Sequence, residues 1–206
     1  IAAYQRLLEA DPTSPTTIRR AGAALARLYE EQQRWPELRG IMRRQSEWAE
    51  DAGERRALLA RVAQLEEERL GDKDAAVATW RDVLADQPSD AGALHALERL
   101  FQASARWRDL IEILRRKIDI ASNEEDIPLL SRVAEIHERE LRESDEAIGA
   151  WLEVLDRDGE HARALAELAR LYAAAERHAD LIDVRERQAA LAHGDEQLAL
   201  HVEIAR

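Results

Sequence analysis

Ala26-Arg27-Leu28-Tyr29 is repeated twice further along the chain, as Glu98-Arg99-Leu100-Phe101 and as Ala169-Arg170-Leu171-Tyr172. The spacings between successive copies are 72 and 71, and the side chains that follow them align in the same register: Trp35, Trp107 and His178, and Leu38, Leu110 and Leu181. Such periodicity is typical of repeat architectures, in which each unit buries its apolar face only against its neighbours. The sequence therefore predicts an array of similar units.

A second series of residues lies between these copies, again with a spacing of 71. Its members are Leu59-x2-Val62-Ala63, Leu130-x2-Val133-Ala134 and His201-x2-Ile204-Ala205. The helix that follows carries Ala76-x3-Trp80 in one unit and Ala147-x3-Trp151 in the next. Each repeating unit thus divides into two similar halves, and the pattern covers the whole chain.

The composition favours helix over strand. Among the 206 residues, Ala, Leu, Glu and Arg dominate, and there are only 8 Gly and 5 Pro to interrupt a helix. These are strong helix formers, whereas the β-branched residues that favour strands are scarce. The supply of aromatic residues, 5 Trp, 3 Tyr and 1 Phe, is also thin for one large core. We expect an all-α fold without a β-sheet.

Residues typical of helix ends place twelve helices, at roughly 1–10, 15–32, 36–51, 55–70, 73–86, 90–104, 107–121, 124–142, 145–157, 160–175, 178–192 and from 196 onward. Predicted N-terminal signals are Ser14-Pro15, Pro36, Asp72, Ser89-Asp90, Ser144 and the capping box Ser122-x-x-Glu125. Predicted C-caps are Gly53, Gly71 and Gly194. Helices of this length joined by short loops form antiparallel hairpins.

At these positions the chain resembles the tetratricopeptide repeat family. Leu25-Ala26-x2-Tyr29 and Leu168-Ala169-x2-Tyr172 match the first-helix pattern L-G/A-x2-Y, and Ala76-x3-Trp80 with Pro88 matches A-x3-F and the closing Pro. Tyr4 with Asp11-Pro12 repeats that ending. The departures are Glu98, which replaces the small residue, Gly159 at the closing Pro position, and Leu38, Leu110 and Leu181 in place of Ala. The resemblance implies a right-handed α-solenoid of antiparallel helix hairpins, with about six repeats in a double-repeat pattern.

The expected domain is a single solenoid over residues 1–206, a piece of a longer repeat array. Its repeats are expected at roughly 1–12 (partial), 15–52, 55–88, 89–122, 124–158, 160–193 and 196–206 (partial). Trp80 and Trp151 are expected to fill the gaps between adjacent hairpins. Neither end shows a capping repeat, so we expect exposed apolar surface at both ends, and we expect the chain either to be a piece of a longer solenoid or to associate end to end in its isolated form.

Charge and composition exclude several classes of function. The formal net charge is -12, from 30 Lys and Arg against 42 Asp and Glu, which argues against nucleic-acid and membrane partners because phosphate neutralisation needs a basic surface. There is no Cys, so a disulfide framework, a thiolate metal site and a cysteine nucleophile are all excluded, and the redox compartment stays open.

No pattern of residues indicates catalysis. The six histidines, His95, His137, His161, His178, His193 and His201, include no i, i+4 pair that would place two imidazoles on one helix face for a metal. The acidic clusters Glu66-Glu67-Glu68 and Glu124-Glu125-Asp126 are interpreted as solvated or first-turn charge. We expect no catalytic residues, no metal and no cofactor, and hence no enzyme.

Arg27, Arg99 and Arg170 occupy the same repeat position, two residues before the aromatic. The resemblance implies that this position tends to face the concave surface, where arginines could bind an acidic or C-terminal carboxylate ligand. The alternative is that each arginine pairs with a nearby glutamate, and the recurring Arg61 and Arg132 could do the same. The family's carboxylate clamp does not carry over, because its positions hold Ala23, Ala60, His95, Ser131 and Ala166.

His95 and Trp48 complete the candidate partner-binding set. Trp48 has no counterpart in the other repeats and could be an exposed anchor, whereas Trp35 and Trp107 are expected to pack the hairpin turns. The favoured function is a protein-interaction scaffold that binds a protein or peptide on the concave face of the solenoid. The alternatives are a structural spacer or self-assembling module, and an accessory domain of a larger enzyme.

Overall fold

The computed structural model describes residues 1–10, 14–121 and 123–204. Within these ranges the chain forms twelve α-helices, one π-helical segment and no strand, which confirms the all-α class. The elements are α1 (Ala2–Ala10), α2 (Pro15–Glu31), α3 (Trp35–Glu47), α4 (Ala52–Glu68), α5 (Lys73–Asp86), α6 (Ala91–Ala103), α7 (Trp107–Ile120), α8 (Asn123–Ile136), the π-helical segment (His137–Leu141), α9 (Ser144–Arg157), α10 (Ala162–Ala174), α11 (His178–Leu191) and α12 (Asp195–Ile204).

The chain divides into two compact units. The first unit, Ile1–Ser104, contains α1 to α6, and the second unit, Ala105–Arg206, contains α7 to α12. Inside each unit every helix packs against the next one along the chain, as expected for successive antiparallel hairpins. A single solenoid over residues 1–206 stays a prediction.

Most of the predicted helix starts are confirmed. The side chains of Ser14, Asp72 and Asp90 each accept a hydrogen bond from the backbone N–H three residues later, at 3.3, 3.0 and 2.9 Å. Pro36 lies in the first turn of α3. The predicted capping box at Ser122 lies outside the described residues.

Two predicted helix ends are wrong. Ser144 is the first residue of α9 rather than its cap, because the flanking position is taken by Glu143, whose side chain makes no capping bond. Gly53 does not end a helix. It lies in the first turn of α4, since Asp51 accepts the N–H of Glu54 at 2.8 Å and starts the helix earlier than predicted.

A left-handed residue followed by an arginine recurs at equivalent positions before α3, α7 and α11. Gln33, Ala105 and Glu176 have φ of 55°, 53° and 56°. The next residues, Arg34, Arg106 and Arg177, each donate from Nε to the carboxylate three residues on, at 2.9, 2.9 and 2.8 Å. The spaced pattern R-x-x-[DE] was visible in the sequence, and it marks the start of these three helices.

Gly71 and Gly194 are left-handed as predicted, with φ of 66° and 62°. Arg142 occupies the position equivalent to Gly71 in the second unit, and it is also left-handed, with φ of 61°. Both turns close with the same backbone bond, from Asp72 N–H to the Glu66 carbonyl and from Glu143 N–H to the His137 carbonyl, each at 2.8 Å. The second unit therefore keeps the turn without its glycine.

Arg142→Gly is expected to stabilise the second unit by about 1 kcal/mol, because a side chain in the left-handed region crowds its own backbone and glycine does not. Urea unfolding followed by circular dichroism measures the change. Arg142→Ala is the control, since alanine keeps the Cβ atom and should show no such gain. Equal stability of the glycine and alanine variants would contradict this explanation.

Trp80 and Trp151 are buried at equivalent positions on α5 and α9. The indole N–H of each is buried without a hydrogen-bond acceptor, so both contribute through packing rather than hydrogen bonding. Arg163 on α10 lies over the Trp151 ring, with its guanidinium carbon 5.6 Å from the ring centroid. Trp151 thereby contacts the hairpin that follows its own, as the sequence predicts.

Candidate partner-binding face

His95, Arg99 and Gln102 lie on the exposed side of α6, at spacings of four and three residues that place them on one face of the helix. With Glu98 and Ala103, on the same helix, they line a shallow, open cleft of about 350 Å³. The structure therefore brings together two of the residues that the sequence predicts, His95 and Arg99. We call this surface the α6 face.

Arg99 is held in place by Glu67 on α4. One terminal nitrogen of Arg99 donates to Oε1, and the other donates to Oε2 at 2.7 Å, so the contact is bidentate. These hydrogen bonds lower the pKa of Glu67 and raise the pKa of Arg99, which keeps both groups charged. The arginine of the α6 face is thus preformed in one orientation.

The other two arginines of the row also have carboxylate partners. Arg170 donates to Glu138 at 2.6 Å and to Glu167 at 2.7 Å. Both bonds raise the pKa of Arg170, and the bond to Glu138 has the larger effect. Glu138 and Arg170 are the second unit's equivalents of Glu67 and Arg99. Arg27 pairs within its own helix, α2, with Glu31 at 2.9 Å. An acidic ligand would therefore compete with glutamates already bound to each arginine.

Further ion pairs join alternate helices on the same side of each unit. In the first unit, Arg61 on α4 lies 3.8 Å from Glu30 on α2. In the second unit, Arg163 on α10 pairs with Glu135 on α8. Exposed pairs of this kind contribute little to stability, typically about 0–1 kcal/mol.

Within the first unit, Trp48, Arg27 and Arg99 belong to three different helices. Trp48 is the C-cap residue of α3 and is 37% exposed. Arg27 lies on α2 and Arg99 on α6, with α4 between those helices in the chain, and Arg170 belongs to the second unit. Of the candidate set, only His95 and Arg99 share a described cleft.

The interpretation of Glu66 as solvated charge is wrong. Glu66 is 1% exposed and lies on the buried stripe of α4 with Val62 and Ala63. Its carboxylate accepts a hydrogen bond from the Thr79 hydroxyl at 2.6 Å and from Arg43 at 3.2 Å. Thr79 also accepts a bond from Arg43, so the three side chains form a closed polar cluster.

Asp126, from the second acidic cluster, is also buried rather than solvated. It pairs with Arg157 of α9 at 3.5 Å, while its Oδ1 is buried without a hydrogen-bond partner. The side chains of Glu124 and Glu125 lie outside the described set. Consecutive residues of a helix face different directions. Only a helical projection therefore identifies which member of an acidic cluster lies on the buried face.

Both ends of the described chain expose apolar side chains. On α1, Tyr4 is 40% and Leu7 is 48% exposed, and on α12, Leu198 is 65% and Val202 is 51% exposed. The pairs are spaced by three and four residues, so each forms a small apolar strip on one helix face. These strips are the second candidate contact surface.

Among the described residues, no group of three His, Cys, Asp or Glu side chains is arranged to hold a metal ion. None of the described helices has the length and apolar character needed to cross a membrane.

The fold and its repeated pattern define a helical repeat protein. The tetratricopeptide repeat pattern matches residues 23–56, 93–128 and 164–199, together just over half of the sequence. The chain therefore belongs to the tetratricopeptide repeat family. The matched segments follow the repeat spacing found in the sequence. Tetratricopeptide repeats are in general protein-interaction scaffolds and are usually non-enzymatic.

Several solved structures are similar to this chain. MamA 41-end from Desulfovibrio magneticus RS-1 is 14% identical, with 84% of this chain and 92% of that chain covered and a TM-score of 0.42. PilF of Pseudomonas aeruginosa is 16% identical, with 93% and 84% covered and a TM-score of 0.41. YrrB, described as a TPR protein with an unusual peptide-binding site, is 16% identical, with 98% and 97% covered and a TM-score of 0.41. The sequence matches no curated protein.

Proposed function

We propose that this chain is a protein-interaction scaffold that binds a protein or peptide partner across the α6 face. The observation that carries the proposal is the cleft in which His95, Arg99 and Gln102 lie side by side. These side chains supply both hydrogen-bond donors and acceptors, the groups that a peptide backbone requires. Because Glu67 already orients Arg99, binding loses little side-chain entropy there.

The charge of the chain favours a neutral or basic partner. The formal net charge is -12, and the candidate arginines are each neutralised by a neighbouring carboxylate. A surface of this kind attracts cationic groups over long range, and the attraction weakens as salt rises. The acidic ligand that the arginine row suggests stays an alternative, since it would have to displace Glu67 from Arg99.

Selection of random peptides displayed on phage against the intact chain supplies a defined probe. We expect the selected peptides to be neutral or basic and to bind in the micromolar range, about 1–100 μM, as measured by isothermal titration calorimetry. Arg99→Glu is expected to tighten the binding of basic peptides by about tenfold, because it replaces a positive charge with a negative one on the surface that the peptide meets. His95→Ala should weaken binding.

Arg19→Glu is the matched control for Arg99→Glu. It makes the same charge change in the same unit, at an arginine whose ion pair is exposed, with Glu50 at 3.7 Å. Peptide affinity should be nearly unchanged by this control. If both variants alter binding equally, the effect is one of overall charge and the α6 face is not the site.

Glu67→Gln separates the two kinds of ligand. Removing this carboxylate frees Arg99, so an acidic peptide would bind more tightly and a basic peptide would bind less tightly than to the unmodified chain. We expect weaker binding of the selected peptides. Tighter binding would favour the acidic ligand that the arginine row suggests.

End-to-end self-association is a second candidate function, and the exposed strips of α1 and α12 favour it. In the order of the helices, α1 precedes α2 as α5 precedes α6, and α12 is equivalent to α4 by the repeat spacing. Since α4 packs on α5 inside the first unit, α12 of one copy could pack on α1 of a second copy in the same way. Such a head-to-tail contact leads to open chains or rings.

Sedimentation velocity over a range of concentrations tests this candidate. We expect oligomers that grow with concentration and that are lost in Leu7→Glu and Leu198→Glu, because a charge in an apolar contact is strongly unfavourable. Leu152→Glu is the control, since Leu152 is 40% exposed on α9 and lies on neither strip. A monomer at all concentrations would exclude self-association through these surfaces.

A further inference from the structure

Two ion pairs occupy equivalent positions in the two units with opposite polarity. In the first unit, Arg55 at the start of α4 pairs with Asp86 at the end of α5, at 3.1 Å. In the second unit, Asp126 near the start of α8 pairs with Arg157 at the end of α9, at 3.5 Å. Both members are shifted by the same repeat spacing, so the same contact is kept while its charges are exchanged.

The apolar contacts around these pairs are nearly the same in both units. The equivalent buried residues are Leu59 and Leu130, Val62 and Val133, Ala63 and Ala134, Ala76 and Ala147, and Trp80 and Trp151. Hydrophobic burial is non-directional and roughly proportional to area. Two further buried positions differ slightly, Val77 against Ile148 and Leu65 against Ile136, so the apolar surfaces distinguish α5 from α9 only weakly as the partner of α4.

The polar contacts do distinguish them. If α4 paired with α9, Arg55 would face Arg157, and if α8 paired with α5, Asp126 would face Asp86. Asp126 is buried, so repulsion there would be only weakly screened by salt. The wrong pairing of α4 would also place Ala150 where Thr79 donates to the buried Glu66. Both exchanges thus create unfavourable contacts that the native pairs avoid.

The polarity in the first unit is not explained by the helices themselves. A helix favours negative charge at its N-terminus and positive charge at its C-terminus. The pair Asp126 and Arg157 follows this preference, whereas Arg55 and Asp86 oppose it at both ends. Local helix energetics would therefore select the same polarity in both units.

We propose that the inverted ion pairs determine which helices pair, so that α4 combines with α5 and α8 with α9 while exchange between the two similar halves is disfavoured. Repeat proteins characteristically misfold by pairing equivalent elements wrongly, within one chain or between chains. Contacts that penalise the wrong partner are the recognised way to prevent this. The inference does not depend on the ligand proposed above.

Three versions of the full chain test the proposal: the natural sequence, the double variant Arg55→Asp/Asp86→Arg, and the quadruple variant that adds Asp126→Arg/Arg157→Asp. The double variant keeps an ion pair in each unit but gives both the same polarity. The quadruple variant exchanges the charges in both units, so the polarities differ again. Each chain is refolded from urea, and the native monomer is measured by size-exclusion chromatography with light scattering.

We expect the double variant to give a yield of native monomer at least about twofold lower than the natural chain, with misassembled species making up the loss. Its native monomer should nevertheless unfold at a urea concentration no lower than that of the natural chain, because the new polarity suits the helix ends. The quadruple variant should restore the yield.

Two results would overturn the proposal. One is a double variant that refolds with the natural yield, which would mean that the inversion has no role in pairing. The other is a quadruple variant that refolds as poorly as the double variant, which would assign the loss to the substitutions in the first unit alone. Unfolding midpoints measured on the same samples separate a stability defect from a pairing defect.

Discussion

Trp151→Ala is expected to destabilise the second unit by about 3–5 kcal/mol, because removing a large buried aromatic loses its transfer free energy and leaves a cavity. The side chain is 1% exposed, and Arg163 covers its ring. Since the indole N–H has no acceptor, no hydrogen bond is lost, and the loss comes from packing and from the contact with Arg163. Equilibrium unfolding in urea, followed by circular dichroism, measures it.

Trp48→Ala is the control for this substitution, since Trp48 lies at a helix end and is partly exposed. It should lose no more than about 1 kcal/mol. Trp80→Ala should match Trp151→Ala in size but act on the first unit, because stability in repeat proteins is a sum of local and neighbour contributions. Hydrogen exchange locates the loss. A Trp151→Ala loss below that of Trp48→Ala would contradict the packing described here.

Arg43→Met is expected to destabilise the first unit by about 3 kcal/mol. The substitution leaves the Glu66 carboxylate buried with only the Thr79 hydroxyl beside it, and removing one partner of a buried pair typically costs about 3–5 kcal/mol. Arg43 is itself partly exposed, which places the expectation at the lower end of that range. Urea unfolding at neutral pH measures the loss.

The double variant Arg43→Met/Glu66→Met tests the explanation. It removes both charges, and apolar replacements of a buried pair are often neutral or stabilising. The double variant should therefore be more stable than Arg43→Met alone. If the stability loss in the double variant equals the sum of the losses in Arg43→Met and Glu66→Met, Arg43 and Glu66 are not coupled, and the cluster does not act as a unit.

The helices were predictable because their signals are local. Asp72 and Asp90 precede helices by the spacing that capping requires, and Gly71 supplies the left-handed turn. The errors at Gly53 and Ser144 arose where two local signals compete. Asp51 caps the start of α4, so Gly53 lies inside the helix and does not end one. The turn before α9 is closed by backbone bonds of Glu143 rather than by a serine cap.

The candidate site was predictable only in part. The periodic position of Arg99 and the spacing of His95 on the same helix could be read from one segment of sequence. Glu67, which orients Arg99, is 32 residues away and lies on another helix. The adjacent Glu68 is an equally plausible partner of Arg99 in the sequence. The packing of α4 against its neighbours decides which glutamate pairs with Arg99, and residue spacing along the chain does not give that packing.

The burial of Glu66 could be predicted from the sequence, but its hydrogen-bond partners could not. Its position on the stripe of Val62 and Ala63 marks it as buried once α4 is drawn as a helix, and this signal was present in the sequence. Its partners, Arg43 and Thr79, lie on α3 and α5. A buried carboxylate at this position could thus have been predicted, whereas the residues that donate hydrogen bonds to it are known only from the tertiary structure.

The location of the bound partner is the most direct test of this account. Hydrogen exchange with mass spectrometry, on the intact chain with and without a peptide selected from the phage library, reports which backbone segments the peptide protects. We expect protection concentrated in residues 91–103, the helix that carries His95 and Arg99. Protection confined to α1, α12 or α3, with α6 unchanged, would contradict it.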